Sequence, residues 1–440
     1  MHEDTIVAVT GQTTQAIAII RLSGGEAKAI ANRVLQKSIS KQASHTIEHN
    51  FVIEGQQVID EVMVSYFKAP QSYTGEDTVE INIHGGPYIS HKVVSRLLAE
   101  GARPAQPGEF TQRAYLNGKL DLTQAEAIND LILANSEYNA TKAMAALSQA
   151  ISKMLEPLIA EIHDLIANIE VNIDYPEYDD VSDLSQRVIL PQLRKWLELS
   201  AEIVKKSESS LLIKDGILTV IVGEPNVGKS SLLNALLQEN RALVSEIAGT
   251  TRDYIEAEVL IDNLHLRLID TAGLRTTGDT LEKLGMEKTQ ELLEKAQLVI
   301  VVFDATKQRS RQELELLERL KNQEYIVVYN KSDLTKEKIA GIKIAAINND
   351  IAELVNALKD KYETTELINT TTLHSPRQVA LMKQATSSLS SAVKALEENR
   401  ELELVAIDLE VAYQSLCDIL GKYSRIDLLE SIFQNFCLGK

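Results

Sequence analysis

The feature that most constrains the fold of this chain is a series of four short motifs in its second half. In chain order they are Gly-Glu-Pro-Asn-Val-Gly-Lys-Ser at 223–230, Thr-Thr at 250–251, Asp-Thr-Ala-Gly at 270–273 and Asn-Lys-Ser-Asp at 330–333. One such motif arises easily by chance, but four in this order indicate a single nucleotide-binding site. We therefore expect a P-loop domain with a mostly parallel sheet and helices on both of its faces.

The first motif has the composition and the context of a phosphate-binding P-loop. Its glycines let backbone N–H groups approach the β- and γ-phosphates with no side chain in the way. Lys229 adds a positive charge for those phosphates, and the Ser230 hydroxyl is a ligand for Mg²⁺. The apolar run Ile217–Val222 predicts a buried strand before the motif, and Ser231–Leu237 predicts a helix after it. An ordinary glycine turn between a strand and a helix is the alternative interpretation.

The next two motifs have the character of switch segments. Asp270 follows the strand-like run Leu264–Ile269, and we expect it to hold Mg²⁺ through water while the Gly273 amide meets the γ-phosphate. Thr250 and Thr251 lie in a polar, glycine-containing stretch that is typical of a loop ordered by nucleotide. A Ser/Thr pair has little weight alone, so the assignment depends on its place between the other motifs.

The fourth motif predicts that the base is guanine. It follows the strand-like run Tyr325–Tyr329, and the Asp333 carboxylate can accept hydrogen bonds from the N1–H and 2-amino groups of guanine. Adenine has neither donor at that edge, so we expect GTP rather than ATP. A last guanine-contacting loop, often Ser-Ala-Lys, is expected after a predicted strand at Ile342–Ile347. The stretch 343–349 reads Lys-Ile-Ala-Ala-Ile-Asn-Asn, which lacks that serine and lysine and predicts a lowered affinity for the base.

Two positions bear on hydrolysis. Leu274 stands where Ras-like GTPases carry the glutamine that orients the attacking water, so another group must take that role. Asn226, inside the P-loop, can add an oxygen ligand for a monovalent cation near the phosphates, and that cation would do the electrostatic work of an arginine finger. A turn residue is the alternative interpretation of Asn226.

The composition limits the kinds of protein that this chain can be. The chain has 440 residues, of which 25% are charged and 44% hydrophobic, and this predicts about three soluble globular domains. No apolar stretch approaches the roughly 18 residues of a membrane span, and the first residues lack a signal-peptide pattern, so we expect no membrane partner and a cytoplasmic location. The two cysteines, Cys417 and Cys437, suit a reducing compartment. The net charge of −18 argues against unaided binding of nucleic acid, so we expect a second protein to present any RNA substrate.

Composition shifts divide the chain into a mixed α/β domain at 1–118, a first helical part at 119–211, the nucleotide-binding domain at 212–370 and a second helical part at 371–440. A capping-box pattern at Thr123–Glu126 predicts the start of one or two long helices that reach about Ile173, and another helix is expected to about Leu211. The economical arrangement is one helical bundle with the nucleotide-binding domain inserted in it. In the first domain, periodicity predicts four strands and two helices, at Thr5–Val9, Ala16–Leu22, Val58–Phe67, Thr78–Ile83, Ala27–Leu35 and Ser90–Glu100.

Several further motifs carry a family resemblance. They read Ser-Tyr-Thr-Gly-Glu-Asp at 72–77, His-Gly-Gly-Pro at 84–87, Pro-Gly-Glu-Phe-Thr-Gln-Arg-Ala at 107–114, Asn-Gly-Lys-Leu-Asp-Leu at 117–122 and Phe-Cys-Leu-Gly-Lys at 436–440. With Ala-Gly-Thr-Thr-Arg-Asp at 248–253 and Leu274, they make the chain resemble the MnmE (TrmE) family of tRNA modification GTPases from end to end.

The resemblance implies a function. It implies a homodimer built through N-terminal domains that bind a tetrahydrofolate derivative, either 5-formyl- or 5,10-methylene-tetrahydrofolate. It also implies a heterotetramer or larger complex with the FAD-containing partner MnmG. Such a complex adds a carboxymethylaminomethyl or aminomethyl group to C5 of the wobble uridine of certain tRNAs. GTP hydrolysis, promoted by K⁺ and by dimerisation of the GTPase domains, would drive its conformational cycle.

The resemblance also implies roles for individual residues. Lys229 and Glu282 would be catalytic, with Glu282 positioning the hydrolytic water in place of the glutamine absent at Leu274. Mg²⁺ would be held by Ser230 and Thr251, K⁺ by Asn226, Ser245, Ile247 and Thr250, and folate by Arg21, Glu80, Lys119 and Lys440. The implied GTP contacts are Asn226, Val227, Gly228, Lys229, Ser230, Ser231, Ser245, Glu246, Ile247, Ala248, Gly249, Thr250, Thr251, Asp270, Thr271, Ala272, Gly273, Asn330, Lys331 and Asp333.

Several of these residues have a second interpretation. Without the resemblance, the four folate residues are surface charges and Glu282 is an acid on a helix surface. Cys437 is either reactive or a small buried residue that packs a final helix. The stretch Val9–Ala16 lacks the proline- and glycine-rich run usual before the Arg21 strand. At the level of function, the alternatives are an Era-like ribosome-assembly GTPase and a GTP-gated scaffold, and the acidic composition weighs against the first.

Overall fold

The computed structural model describes residues 4–10, 14–174, 189–239, 256–261, 264–270, 292–335, 339–362, 370–422, 432–433 and 436. The chain divides into two compact units. One contains Met1–Leu133, Ala143–Ser200 and Ala380–Lys440, and the other contains Ala134–Lys142 and Ala201–Val379. Within the described ranges, no helix is both long enough and apolar enough to cross a bilayer.

The N-terminal part of the first unit is a mixed α/β fold, as predicted. Its six-stranded sheet has the order β3-β4-β5-β2-β1-β6, in which the neighbours are antiparallel except for β1 and β6. The elements are β1 Ile6–Val9, β2 Ile17–Ser23, α1 Ala27–Val34, β3 Thr46–Glu54, β4 Gln57–Phe67, β5 Thr78–His84, α2 Pro87–Ala99, β6 Arg103–Pro104 and α3 Glu109–Leu116.

The predicted strands and helices of this region all occur, within three residues at each boundary, and three further elements were not predicted. The missed elements are β3, β6 and α3. Strand β3 was not predicted because its apolar alternation is incomplete. It lies at the edge of the sheet, and its first four residues are exposed. Helices α1 and α2 contribute Ile30, Val34, Val93 and Leu97 to one core with strands β2, β4 and β5.

In the described part of the chain, six long helices lie outside the two sheets. They are α4 Leu122–Leu133, α5 Glu137–Leu147, α6 Ala150–Asp174, α7 Leu190–Asp215, α11 Pro376–Glu397 and α12 Leu402–Leu420. Three helices therefore cover the stretch for which one or two were predicted. Trp196 on α7 is buried, and its indole N–H donates to Glu161 Oε2 on α6 at 2.8 Å.

The capping box at the start of α4 lies two residues earlier than predicted. The backbone N–H of Gln124 donates to Asp121 Oδ1 at 2.8 Å, and the backbone N–H of Asp121 donates to Gln124 Oε1 at 3.0 Å. These reciprocal bonds satisfy two N–H groups that the helix leaves without partners. The prediction of a box formed by Thr123 and Glu126 is wrong, and the Thr123 hydroxyl instead donates to Asp121 Oδ1.

The second unit contains a mostly parallel sheet, as the motif order predicted. The strand order is β12-β11-β10-β7-β9-β8, and only the β8–β9 pair is antiparallel. The elements are β7 Ile217–Val222, α8 Lys229–Glu239, β8 Glu256–Ile261, β9 Leu264–Asp270, β10 Leu298–Asp304, α9 Arg311–Arg319, β11 Tyr325–Asn330, β12 Ile342–Lys343 and α10 Ala352–Tyr362.

Strand β10 lies at the centre of this sheet and is buried along its whole length. Its residues Leu298, Ile300 and Val302 belong to one apolar cluster, whereas Val299, Val301 and Phe303 belong to another. Because side chains alternate along a strand, the two clusters cover opposite faces of the sheet. The continuous apolar run thus reflects a strand buried on both sides.

The predicted strand at Ile342–Ile347 is only partly present. Strand β12 ends at Lys343, and Ala345 then pairs with Asp350 across a short 3₁₀ turn at Ala346–Asn348. The apolar run continues beyond the strand because Ile344, Ala345 and the first turn residue, Ala346, are all buried. Periodicity alone does not separate such a turn from a strand.

Candidate nucleotide-binding site

At two positions in the loop between β7 and α8, the backbone conformation and the neighbouring atoms leave room only for glycine. Gly223 has φ +153°, and a Cβ atom there would lie 2.3 Å from the Val302 carbonyl oxygen. Gly228 has φ +96°, and its Cβ would lie 2.2 Å from Asn330 Nδ2. Both glycines of the motif are therefore required by close approach as well as by dihedral angle.

Lys229 is folded back over this loop. Its ammonium group donates to the carbonyl oxygens of Gly223 and Glu224 at 3.0 and 2.9 Å. The loop therefore already holds a cation at its centre, which is the charge that nucleotide phosphates require. Ser230 occupies the first turn of α8, directly after Lys229.

Asn226 has a left-handed backbone, with φ +64°. Asparagine tolerates this conformation better than most residues, so the turn interpretation and the predicted role as a K⁺ ligand are both compatible with it. The other three predicted K⁺ ligands, Ser245, Ile247 and Thr250, lie outside the described residues.

Asn330 joins two segments of the site. Its Nδ2 donates to the Val227 carbonyl at 2.8 Å, and its Oδ1 accepts from the Ala346 backbone N–H at 3.0 Å. The side chain is buried, so both hydrogen bonds form away from water and are costly to break. The Asn330 side chain therefore links the P-loop to the loop that follows β12.

Lys331 also has a left-handed backbone, at φ +66°, and its ammonium donates to Asp304 Oδ2 at 2.7 Å. Burial would raise the pKa of Asp304, but hydrogen bonds from Lys331 and Thr306 outweigh burial and lower that pKa to about 2. The ion pair fixes the Lys331 side chain against Asp304. Asp333, two residues further along the chain, is exposed and is the predicted reader of guanine.

Sequence reasoning missed three polar residues of this region. Asp304 ends strand β10 and holds Lys331, Ser310 donates to the Glu224 carboxylate of the P-loop, and Asn348 donates to Asp333. Asp304 could have been found, because an acid that ends a buried parallel strand lies at the edge where ligands bind. The other two gave no such signal, since their contacts join segments 15 and 86 residues apart.

The described part of the Mg²⁺ site is small. Asp270 is the register partner of Ile221, which places the end of β9 beside the end of β7, where the P-loop begins. Its backbone position therefore fits the predicted role. The predicted residues Glu246, Ala248, Gly249, Thr251, Thr271, Ala272, Gly273 and Glu282 lie outside the described residues, as does Leu274.

In the other unit, two predicted folate residues meet across the sheet. Arg21 on β2 is the register partner of Glu80 on β5, and Arg21 Nε donates to Glu80 Oε1 at 2.8 Å. The guanidinium lies 5.2 Å from the centre of the Tyr73 ring and 5.6 Å from that of Phe110. The pair is thus a partly buried polar group beside aromatic rings. Lys119 instead donates to the Pro70 carbonyl at 3.0 Å, while Lys440 and Cys437 lie outside the described residues.

A buried arginine joins two of the sequence motifs near this pair. Arg113 has a fully buried side chain and forms ion pairs with Asp4 at 2.7 Å, Glu109 at 3.0 Å and Glu76 at 3.1 Å. Glu76 belongs to the 72–77 motif and Arg113 to the 107–114 motif. Three carboxylates around one buried guanidinium make this network structural, because removing any member leaves a buried charge without its full set of partners.

Comparison with known proteins accounts for the whole chain. The family model described as GTP-binding protein TrmE N-terminus matches residues 5–119, and the MnmE helical domain matches residues 122–437. The tRNA modification GTPase MnmE of Acholeplasma laidlawii is 42% identical over 100% of both chains. That of Lactococcus lactis subsp. lactis is 40% identical over 99% of this chain and 98% of its own.

The chain belongs to the MnmE family. This confirms the family resemblance and, with the P-loop geometry, the prediction of a GTPase. Among solved structures, Aquifex aeolicus Era covers 39% of this chain and 66% of its own with 24% identity and a TM-score of 0.27, a likeness too slight to carry an argument. The full-length matches at 40 to 42% identity favour the MnmE family over the Era-like alternative.

Proposed function

We propose that this chain is the GTP-hydrolysing subunit of a complex that adds a carboxymethylaminomethyl or aminomethyl group to C5 of the wobble uridine of certain tRNAs. One observation carries the proposal. A P-loop and an Asn330–Asp333 motif are joined by Asn330 into one site, in a chain that matches tRNA modification GTPases over its full length.

The deciding experiment is mass spectrometry of tRNA nucleosides from cells that lack this gene. We expect the C5-modified uridine to disappear, to return with the wild-type gene and to stay absent with Lys229→Ala, which keeps the protein but removes the phosphate-binding cation. Persistence of the modification in the deletion strain would contradict the proposal and favour an Era-like or scaffold role. Co-sedimentation with ribosomal subunits would then identify the Era-like role.

The Ser230 hydroxyl, at the start of α8, is an oxygen donor of the kind that Mg²⁺ bound to GTP requires. The Ser230 hydroxyl would ligate the ion with Thr251, and Asp270 at the end of β9 would hold it through water. When bound, Mg²⁺ neutralises phosphate charge. The Lys229 ammonium, already inside the loop, would bind the phosphates, and Asp333 would accept from the base edge.

Hydrolysis would use K⁺ and a remote acid. Asn226, Ser245, Ile247 and Thr250 would ligate K⁺, and Glu282 would position the attacking water in place of a glutamine at Leu274. Support for this assignment comes from the oxygen-bearing Asn226 inside the loop and from family membership. Equal hydrolysis rates in K⁺ and in Na⁺ would contradict the role of K⁺.

The Arg21–Glu80 pair would bind a tetrahydrofolate derivative together with Lys119 and Lys440. A pterin ring carries a 2-amino group and a ring N–H, and a carboxylate such as that of Glu80 accepts from both. The neighbouring ring of Tyr73, which is partly exposed, would suit a flat ligand. Calorimetry with 5-formyltetrahydrofolate that gives no heat of binding would contradict this role.

The remaining parts of the proposal concern assembly. Domains at 1–118, 119–211, 212–370 and 371–440 would form a folate domain, a helical bundle in two parts and a GTPase domain inserted in it. The helical family model spans both sides of the nucleotide-binding unit, which supports insertion. The protein would be a cytoplasmic homodimer that works with the FAD-containing MnmG and receives tRNA with that partner, because its net charge of −18 disfavours unaided RNA binding.

A further inference from the structure

The loop after β12 occupies the place of the guanine-contacting loop whose serine and lysine are missing here. Ala345 exchanges two backbone hydrogen bonds with Asp350, at 2.8 and 3.2 Å, and Asn349 closes the turn with φ +57°. The loop is also joined to the end of β11, because the Ile344 N–H donates to the Tyr329 carbonyl at 2.9 Å. Its own backbone therefore fixes it without help from the missing residues.

Two hydrogen bonds connect this loop to side chains of the fourth motif. The Ala346 N–H donates to Asn330 Oδ1 at 3.0 Å, and Asn348 Nδ2 donates to Asp333 Oδ2 at 3.3 Å. The adjacent amide of Asn349 points to a different partner and donates to Gln238 Oε1 at 3.1 Å. Of the two consecutive asparagines, Asn348 is thus the one in contact with the predicted guanine-reading carboxylate.

We propose that Asn348 is a positioning residue for guanine selectivity, an inference that rests on the proposed function of the site. Asp333 is exposed, and without a partner its side chain would rotate among several rotamers. A carboxylate has about four acceptor positions, so one bond from Asn348 leaves room for the N1–H and 2-amino groups of guanine. Holding the carboxylate before the base arrives removes an ordering cost from binding.

This role makes a specific prediction about two nucleotides. GDP offers both its N1–H and its 2-amino group to Asp333. The two hydrogen bonds can form together only when the carboxylate plane faces the base edge. IDP lacks the 2-amino group, so its single donor can be met by many carboxylate orientations. Loss of the Asn348 amide should therefore weaken GDP more than IDP, and the ratio of the two affinities should fall by about three- to tenfold.

The test measures GDP and IDP in competition with a fluorescent GDP analogue, in the full-length protein with Mg²⁺. Asn348→Asp places a second carboxylate beside Asp333, where like charges repel. Its matched control is Asn349→Asp, which adds the same charge one residue away, and aspartate tolerates the left-handed backbone there. Asn348→Ala serves as a second variant that adds no charge.

We expect Asn348→Asp to weaken GDP binding about tenfold and to lower the GDP/IDP affinity ratio. Asn348→Ala should lower that ratio less strongly. The GDP affinity of Asn349→Asp should stay within about twofold of the wild-type value. Equal effects of the two aspartate variants, or an unchanged ratio in Asn348→Ala, would overturn the inference while leaving the GTP site in place. A wild-type protein that binds no GDP would overturn the proposed GTP site and the inference together.

Discussion

The nucleotide site and the Arg21–Glu80 pair are built in different ways. The nucleotide site collects short, local motifs that follow the ends of β7, β9 and β11, so that the motifs and their order are visible in the sequence. Arg21 and Glu80 are single residues 59 positions apart, and only the register of β2 and β5 brings them together. Local motifs are thus visible in the sequence, whereas a contact set by strand register becomes visible only in the fold.

The largest expected effect concerns the close approach of Gly228 in the P-loop to Asn330, which lies about 100 residues further along the chain. Gly228→Ala puts a Cβ atom 2.2 Å from Asn330 Nδ2 in a backbone with φ +96°, so either the loop or Asn330 must move. We expect GTP affinity to fall about 100-fold or more, measured with a fluorescent nucleotide. The control is Gly86→Ala in the N-terminal unit, where φ is −81° and no atom lies within 4 Å of the added Cβ. Near-normal affinity in Gly228→Ala would show that the loop tolerates this displacement.

The next largest effect concerns a residue that no motif marks. The pKa of Asp304 is lowered from 3.8 to about 2, so its ionised form contributes about 2 kcal/mol to the free energy of unfolding. We expect Asp304→Asn to lose that amount at pH 7, measured by chemical unfolding. A group whose pKa is lowered on folding stabilises the protein above its unfolded pKa and loses the contribution as pH falls. The difference between variant and wild type should therefore be constant from pH 7 to pH 5 and should shrink between pH 4 and pH 2.

The control for this prediction is Glu318→Gln. Glu318 pairs with Lys321 on the surface of the same unit, and both side chains are more than 60% exposed. Exposed pairs contribute little, so no measurable change is expected at any pH. A difference between Asp304→Asn and wild type that stays the same at pH 3 would exclude ionisation of Asp304 as the cause.

The third prediction concerns the Arg21–Glu80 pair, whose contact is set by strand register. Glu80→Gln keeps the size of the side chain but removes the charge that Arg21 and a pterin would both use. We expect the affinity for 5-formyltetrahydrofolate to fall about tenfold by calorimetry while GTP hydrolysis is unchanged. Glu61→Gln is the matched control, because Glu61 forms an exposed cross-strand pair with His49 in the same sheet. Equal folate binding in all three proteins would leave Arg21 and Glu80 with a structural role alone.

Much of the fold could be predicted from the sequence because its signals are local. Apolar runs before Gly223 and Asn330 gave strands β7 and β11, and the order of motifs gave the parallel sheet. The turn at Ala346–Asn348 could not be predicted, since burial of Ile344 and Ala346 continues the apolar pattern beyond the strand. Contacts such as those of Asn348 with Asp333, or Arg113 with Glu76, join segments that only the fold makes neighbours.

The smallest effect concerns a signal that is local and was nevertheless misassigned. Asp121 accepts from the Gln124 N–H at 2.8 Å and from the Ser152 hydroxyl at 2.5 Å, whereas Thr123 only donates to Asp121. Because Asp121 caps α4, Asp121→Ala should lower the free energy of unfolding by about 1 kcal/mol. Thr123→Val, which keeps the shape and removes the hydroxyl, should cost about half as much or less. Chemical unfolding of the two variants identifies the cap. A larger loss of unfolding free energy in Thr123→Val than in Asp121→Ala would identify Thr123 as the cap, as the Thr123–Glu126 sequence pattern predicted.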